Sequence, residues 1–311
     1  MADQLYLWPE DQQGDRLTWS WSKDRRLKDC LRRYYLHHYV SRGGASAGAQ
    51  PLTREAYLLK NLRNRHMWVG EVVHEMIELG LGALRRGEQA SPAALVERGT
   101  RRMRAQYAES LQGVYRERPL HACGLMEHEY REEVPKEEWK RQRDRMERCV
   151  RAFFELELVA KLEGSPPWRW LALENLTSFD LDGATVLVKP DLAWRDHDDT
   201  VVLVDWKTGK ARPDDEERQL AVYGLFARRS WVGGGGGLRG VVAHLDDGGV
   251  SETNLDDMAL ARAEASIRSS LATMRALHPE AAGPELRLDR FPVTADAGFC
   301  VHCAFKRLCD R

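Results

Sequence analysis

Two hydrophobic periods divide the chain. From Thr53 to about Leu162 apolar residues recur at helical spacing, and Leu58, Leu59, Leu62, Met67, Val69, Val72, Val73, Met76 and Ile77 predict a helix over 54–80 that carries His74. A lone histidine on such a face is ordinarily a core residue. Ser91-Pro92 opens a second helix, since proline at a first helical position gives up no hydrogen bond. Residues 136–162 predict a long charged helix in which Lys140, Arg141, Arg143, Arg145, Arg148 and Arg151 are interspersed with Asp144, Glu147 and Glu155, the mark of a solvated, ion-paired face. Upstream, Ser22 suits the N-cap of a helix over 23–40. Arg25, Arg26, Lys28, Arg32 and Arg33 are interleaved there with Tyr34, Tyr35 and Tyr39, Cys30 lies in its middle, and Gly43, Gly44 and Gly48 mark the loop that follows.

After Gly164 the period falls to two. Residues 168–179 predict one strand and Asp182-Gly183 a turn, and Val186, Leu187, Val188, Leu192, Ala193 and Trp194 form a single apolar run that His197-Asp198-Asp199 reverses into Val201–Val204. Together these predict an antiparallel meander. A helix over 213–229, strands over 238–245 and 249–254 across an Asp-Gly-Gly turn, and a helix over 255–277 complete a mixed α/β pattern. Four segments follow: a basic N-terminal helix (16–52), a helical region (53–163), a sheet-bearing core (164–290) and a cysteine-rich tail (291–311).

Composition narrows the class. The 311 residues are 43% hydrophobic, enough for a sizeable core, and Lys+Arg 47 against Asp+Glu 48 gives a formal charge of -1, so any nucleic-acid contact must come from local basic patches. With no apolar run of about 18 residues and no charged-then-apolar leader, a cytoplasmic protein without a membrane contact is expected. Six cysteines in a reducing compartment then suggest metal wherever they cluster. The glycine run 233–237 is too flexible for a site and lacks the lysine of a phosphate loop.

Three places carry chemistry. Pro190-Asp191 and Asp205-Trp206-Lys207 put two carboxylates and an amine at the ends of apolar runs, and Asp205 and Lys207 share a sheet face by the period of two. Two carboxylates can hold Mg²⁺ or Mn²⁺ and the amine can stabilise a phosphodiester transition state, although a strand-end ion pair has the same pattern. Gln219 and Tyr223 stand at i, i+4 on one face of the next helix. In the tail, Cys300, Cys303 and Cys309 give C-x2-C-x5-C, three ligands of a four-ligand zinc or iron–sulfur site; Cys30 is the candidate fourth, and His302 an alternative donor for zinc. Arg32 and Arg33 are either phosphate contacts or a solvated face.

These residues, in this order, resemble the PD-(D/E)XK nuclease superfamily, particularly its RecB-like branch. The resemblance implies a restriction-endonuclease-like core with a large helical insertion, a metal site of His74 (within Gly70-Glu71-Val72-Val73-His74), Asp191, Asp205 and the Trp206 carbonyl, a catalytic Lys207, and Gln219 and Tyr223 as positioning residues. The one-plus-three cysteines are similar to the iron–sulfur subgroup that includes the CRISPR-associated adaptation exonucleases and the AddB nuclease domain, which implies a [4Fe–4S] cluster tying the tail to the N-terminal helix. It further implies a deoxyribonuclease acting on single-stranded DNA or DNA ends in repair, recombination or phage defence, with a helicase or a CRISPR-type integration complex as partner. A non-catalytic DNA-binding or scaffolding subunit and a structure-specific endonuclease are the alternatives. Val188-Lys189-Pro190 before the first aspartate and the insertion at about 81–162 depart from many relatives. Glu174 receives no role.

Overall fold

The computed structural model describes residues 16–233, 236–278 and 288–309. Residues 1–15, the centre of the glycine run, residues 279–287 of the predicted core and 310–311 of the tail lie outside these residues. In chain order the elements are β1 (Thr18–Ser20), α1 (Trp21–Asp29), α2 (Leu31–Tyr35, continued by a π-helical turn Leu36–Val40), α3 (Pro51–Lys60), α4 (Arg65–Arg85), α5 (Pro92–Leu111), α6 (Met126–Glu129), α7 (Lys136–Phe154) and α8 (Glu157–Leu162). There follow β2 (Trp170–Leu173), β3 (Thr177–Leu181), β4 (Ala184–Val188), β5 (Leu192–Arg195), β6 (Val201–Lys207), α9 (Pro213–Ser230), β7 (Leu238–His244), β8 (Gly249–Asn254), α10 (Asp257–Leu277) and α11 (Gly298–Val301).

The α/β architecture holds, with two mixed sheets in place of one meander. The larger has the order β2-β5-β6-β7-β8 and the smaller β1-β4-β3. In the larger sheet β6 and β7 run parallel, joined by α9 as a crossover, and the other pairs are antiparallel. The run 186–194 is therefore two strands in two sheets, because Lys189-Pro190-Asp191 redirects the chain between β4 and β5. The strand expected over 168–179 is likewise β2 and β3, one in each sheet, parted at Glu174, whose φ is +51°. Asp182 and Gly183 do form the β3–β4 turn, with φ of +48° and +75°, the left-handed pair a two-residue hairpin requires.

Burial explains why β6 reads as one continuous apolar run: both faces of its sheet are covered. Val201 and Leu203 pack with Leu220 of α9 and Ile267 and Leu271 of α10. Val202, Val204 and Trp206 pack against Val72, Val73 and Met76 of α4 and Met146 and Phe153 of α7. Three predicted helices are each broken. The 54–80 helix is interrupted so that Asn64 can cap α4 by accepting from the His66 and Met67 N–H groups, the 136–162 helix breaks at Glu155-Leu156, and the 23–40 helix breaks at Cys30, which is extended (φ −164°, ψ 117°). No helix among the described residues is long and apolar enough to cross a membrane.

Candidate active site

Alternation along β6 decides the geometry. Trp206 points into the α4–α7 layer, so Asp205 and Lys207 emerge on the α9 side, where Gln219 and Tyr223 meet them. Lys207 Nζ lies 2.6 Å from Asp205 Oδ2 and donates to Gln219 Oε1 at 3.0 Å. Gln219 Nε2 donates to Asp205 Oδ1 at 3.1 Å and to Tyr223 Oη at 2.6 Å. The i, i+4 pair of α9 thus belongs to a network around the lysine and aspartate.

Asp191 joins the two faces. Its Oδ2 accepts from the Trp206 N–H at 2.9 Å, and its Oδ1 lies 3.5 Å from His74 Nδ1 on α4. The His74 ring leans on the buried Trp206 indole, with centroids 5.6 Å apart. A helix can approach the strand end this closely because α4 carries Gly70 one turn earlier, where an added Cβ would lie 3.2 Å from Thr208 Oγ1. The structure also supplies a residue to which sequence reasoning gave no role. Glu174 Oε1 contacts His74 Nδ1 at 3.1 Å, its Oε2 pairs with Lys189 Nζ at 2.6 Å, and its N–H donates to the Asp191 carbonyl at 2.9 Å. The left-handed backbone that ends β2 is what turns this carboxylate inward. A signal was present in the sequence: Glu174-Asn175 interrupts an otherwise apolar run.

The electrostatics suit a cation. Burial opposes the charged form of His74, yet the Asp191 and Glu174 carboxylates outweigh it and raise its pKa to about 10. Burial raises Asp205 to about 6, with Lys207 opposing and Asp191 adding to the rise. Burial also holds the Tyr223 phenol well above its ordinary range, so it is a neutral donor and acceptor. Three carboxylates thus share one buried space. His74, Glu174 and Asp191 each offer a ligand atom, all within 4.8 Å of one another, the one such trio among the described residues. Asp205 Oδ2 is buried and accepts no hydrogen bond, although Lys207 approaches it as an ion. A histidine nitrogen and the oxygens of three buried carboxylates suit a divalent cation, with Asp205 Oδ2 held by the Lys207 ammonium.

Among the cysteines, Cys30 breaks the helix between α1 and α2, and Cys303 N–H donates to the Cys300 carbonyl at 3.1 Å. Burial raises the Cys303 thiol, Arg33 lowers it, and Cys30 and Cys309 raise it further, which places thiols from both ends of the described chain and Arg33 in one neighbourhood. Among the described residues the cysteines form no group of three with ligand atoms mutually within 4.8 Å, whereas a tetrahedral zinc needs sulfur separations of about 3.8 Å. The tail is fixed independently by Arg307, which pairs at 2.5 Å with Glu55 of α3 and with the buried Glu129 of α6, and by Tyr130, which donates to the Ala304 carbonyl at 2.6 Å.

Arg32, read from the sequence as a phosphate contact or a solvated residue, is held by the chain itself. Its Nε and Nη2 donate to the carbonyls of Phe291 and Leu288 at 2.8 and 3.1 Å, so its fork is committed to the chain leading into the tail. Replacing Arg32 by alanine is expected to lower stability by about 2 kcal/mol, from hydrogen bonds of a charged donor, with the salt slope of DNA binding unchanged. Parallel thermal melts and DNA titrations at several salt concentrations check this; a flattened slope at unchanged stability would return Arg32 to the DNA path.

Comparison with known proteins identifies the superfamily. The crystal structure titled SSO0001 is 17% identical, covering 56% of this chain and 78% of its own, with a TM-score of 0.29, too low to carry an argument. No curated protein matches the sequence. The family model of the PD-(D/E)XK nucleases matches residues 18–310, from β1 through the cysteine tail, and so takes in the Asp191, Asp205 and Lys207 constellation. This chain belongs to the PD-(D/E)XK nuclease superfamily.

Proposed function

We propose that this protein is a metal-dependent deoxyribonuclease of the RecB-like branch, acting on single-stranded DNA or DNA ends, with a [4Fe–4S] cluster on Cys30, Cys300, Cys303 and Cys309. The observation that carries the nuclease reading is the convergence of His74, Glu174, Asp191 and Asp205 on one side of Lys207, with Gln219 linking Lys207 and Asp205. Substrate, branch and cluster come from the resemblance, and Cys30 and Cys309 both act electrostatically on the Cys303 thiol.

In this reading His74, Glu174, Asp191, Asp205 and the Trp206 carbonyl hold Mg²⁺ or Mn²⁺. The bound ion supplies charge neutralisation at the phosphate and a lowered pKa for water. Lys207 presents its ammonium to charge growing on the scissile phosphate. Gln219 fixes the direction of that ammonium, and the neutral Tyr223 hydroxyl fixes Gln219. The Trp206 N–H holds the Asp191 carboxylate in place.

End-labelled linear and closed circular single-stranded DNA with Mg²⁺ or Mn²⁺ provide the test, comparing anaerobically purified protein with Asp205→Ala. Cleavage by the parent and at least a 10²-fold loss in the variant are expected, as for removal of one essential electrostatic group. A nicked circle assigns an endonuclease, an intact one an end-directed enzyme. Equal rates from both proteins would remove Asp205 from the chemistry, and DNA binding without cleavage by either would make the chain a binding subunit.

A further inference from the structure

Lys207 has a second anionic neighbour beyond the site described above. His244 is its Cα partner across the parallel β6–β7 ladder, so the two side chains leave the sheet on the same face. His244 Nε2 lies 3.4 Å from Glu216 Oε2, which brings a carboxylate from the first turn of α9 to the same place. Burial opposes the charge on Lys207, and Asp205, Asp191 and Glu216 together outweigh it. Glu216 and His244 are 6% and 9% exposed. Glu216 Oε1 accepts the Arg212 N–H at 2.8 Å, but that local hydrogen bond needs neither a buried histidine nor a buried charge, which is expensive to keep.

The need for a second seat comes from Asp205. Its Oδ2 cannot give its full charge to a divalent cation while the Lys207 ammonium lies on it at 2.6 Å. Gln219 Oε1 already holds that ammonium at 3.0 Å and can serve as the pivot. We infer that Glu216, clamped by His244, is the alternate seat of the Lys207 ammonium, so that the pair positions the lysine and frees Asp205 for the cation. Neither residue touches substrate in this scheme; both act through Lys207. The inference rests on Asp205 being a cation ligand, as proposed above.

Mn²⁺ binding to the full chain, followed by electron paramagnetic resonance and corrected with Asp205→Ala, tests it in a cycle of parent, Glu216→Gln, Lys207→Met and the double variant. Glu216→Gln is expected to weaken binding about tenfold when Lys207 is present and less than about twofold when it is methionine, a coupling of ordinary size for neighbouring groups. Equal weakening in both backgrounds overturns the inference, because Glu216 then acts merely as a nearby charge; so does no weakening in either. If Glu216→Gln does not fold by circular dichroism, His244→Gln, which keeps the carboxylate but unclamps it, enters the same cycle with the same requirement. Absence of any Asp205-dependent Mn²⁺ binding in the parent strikes at the metal site itself and removes this inference with it.

Discussion

Lys207→Met is expected to lower the rate of DNA cleavage about 10³-fold while DNA affinity, measured with Ca²⁺ in place of Mg²⁺, stays within about twofold. The reasoning is local. Lys207 ends β6 with its side chain partly exposed, and no apolar core depends on it. Its removal leaves Asp205 held by Gln219 and leaves Asp191 held by the Trp206 N–H, so the carboxylate frame survives. On the mechanism proposed above, what disappears is a positive charge that meets charge developing only in the transition state, so the loss is expected to fall on kcat rather than on binding. Lys207→Arg is expected to recover little, because a planar fork cannot take the place of a compact ammonium seated between Asp205 and Gln219. Single-turnover cleavage beside a filter-binding titration separates the two quantities. Activity above about a tenth of the parent in Lys207→Met would show that the amine does not carry the chemistry.

The central constellation was legible because its spacing is governed by rules that do not depend on tertiary context. The period of two puts Asp205 and Lys207 on one face, and the i, i+4 rule puts Gln219 and Tyr223 on another, so their meeting needs only α9 to lie on β6. Where the sequence misled, a continuous hydrophobic run concealed a change of partner. Val186–Val188 and Leu192–Trp194 look like one strand, since strands buried on both faces carry no alternation to mark where one sheet ends and the next begins. The same blindness hid the split of 168–179, although Glu174-Asn175 marked it, and left Glu174 unassigned, the strand break and the inward-turned carboxylate being one event. Helix breaks at Asn64 and Cys30 were hidden because flanking apolar residues keep helical phase on both sides of them. Arg32 shows the limit of charge patterning: a basic residue on a helix reads as surface until the carbonyls it serves, here of Leu288 and Phe291, are known.

Cys30→Ser is expected to cost the protein its iron and about 10 °C of thermal stability together. Cys30 and the three tail cysteines come from opposite ends of the described chain, so ligation by all four closes a loop of some 270 residues and removes unfolded-state entropy worth about 5 kcal/mol on a chain-entropy estimate. The extended backbone at Cys30 interrupts a helix, a local loss that such a cross-link offsets. A second variant separates the cluster from the rest of the tail's mounting. Glu129 is buried and receives Arg307 and Arg116, at 2.5 and 2.7 Å, as well as the Tyr115 hydroxyl. Glu129→Gln should therefore also lower the melting temperature, by removing the buried charge on which Arg307, Arg116 and the Tyr115 hydroxyl converge, while the iron content of anaerobically purified protein stays at the parent level. Iron and melting temperature falling together in Cys30→Ser but not in Glu129→Gln assigns the cross-link to the thiols. Stoichiometric zinc without iron in the parent would replace the cluster by a structural zinc, and unchanged metal content in Cys30→Ser would remove Cys30 from the ligand set, leaving the Arg307 network as the tie between the tail and the helices.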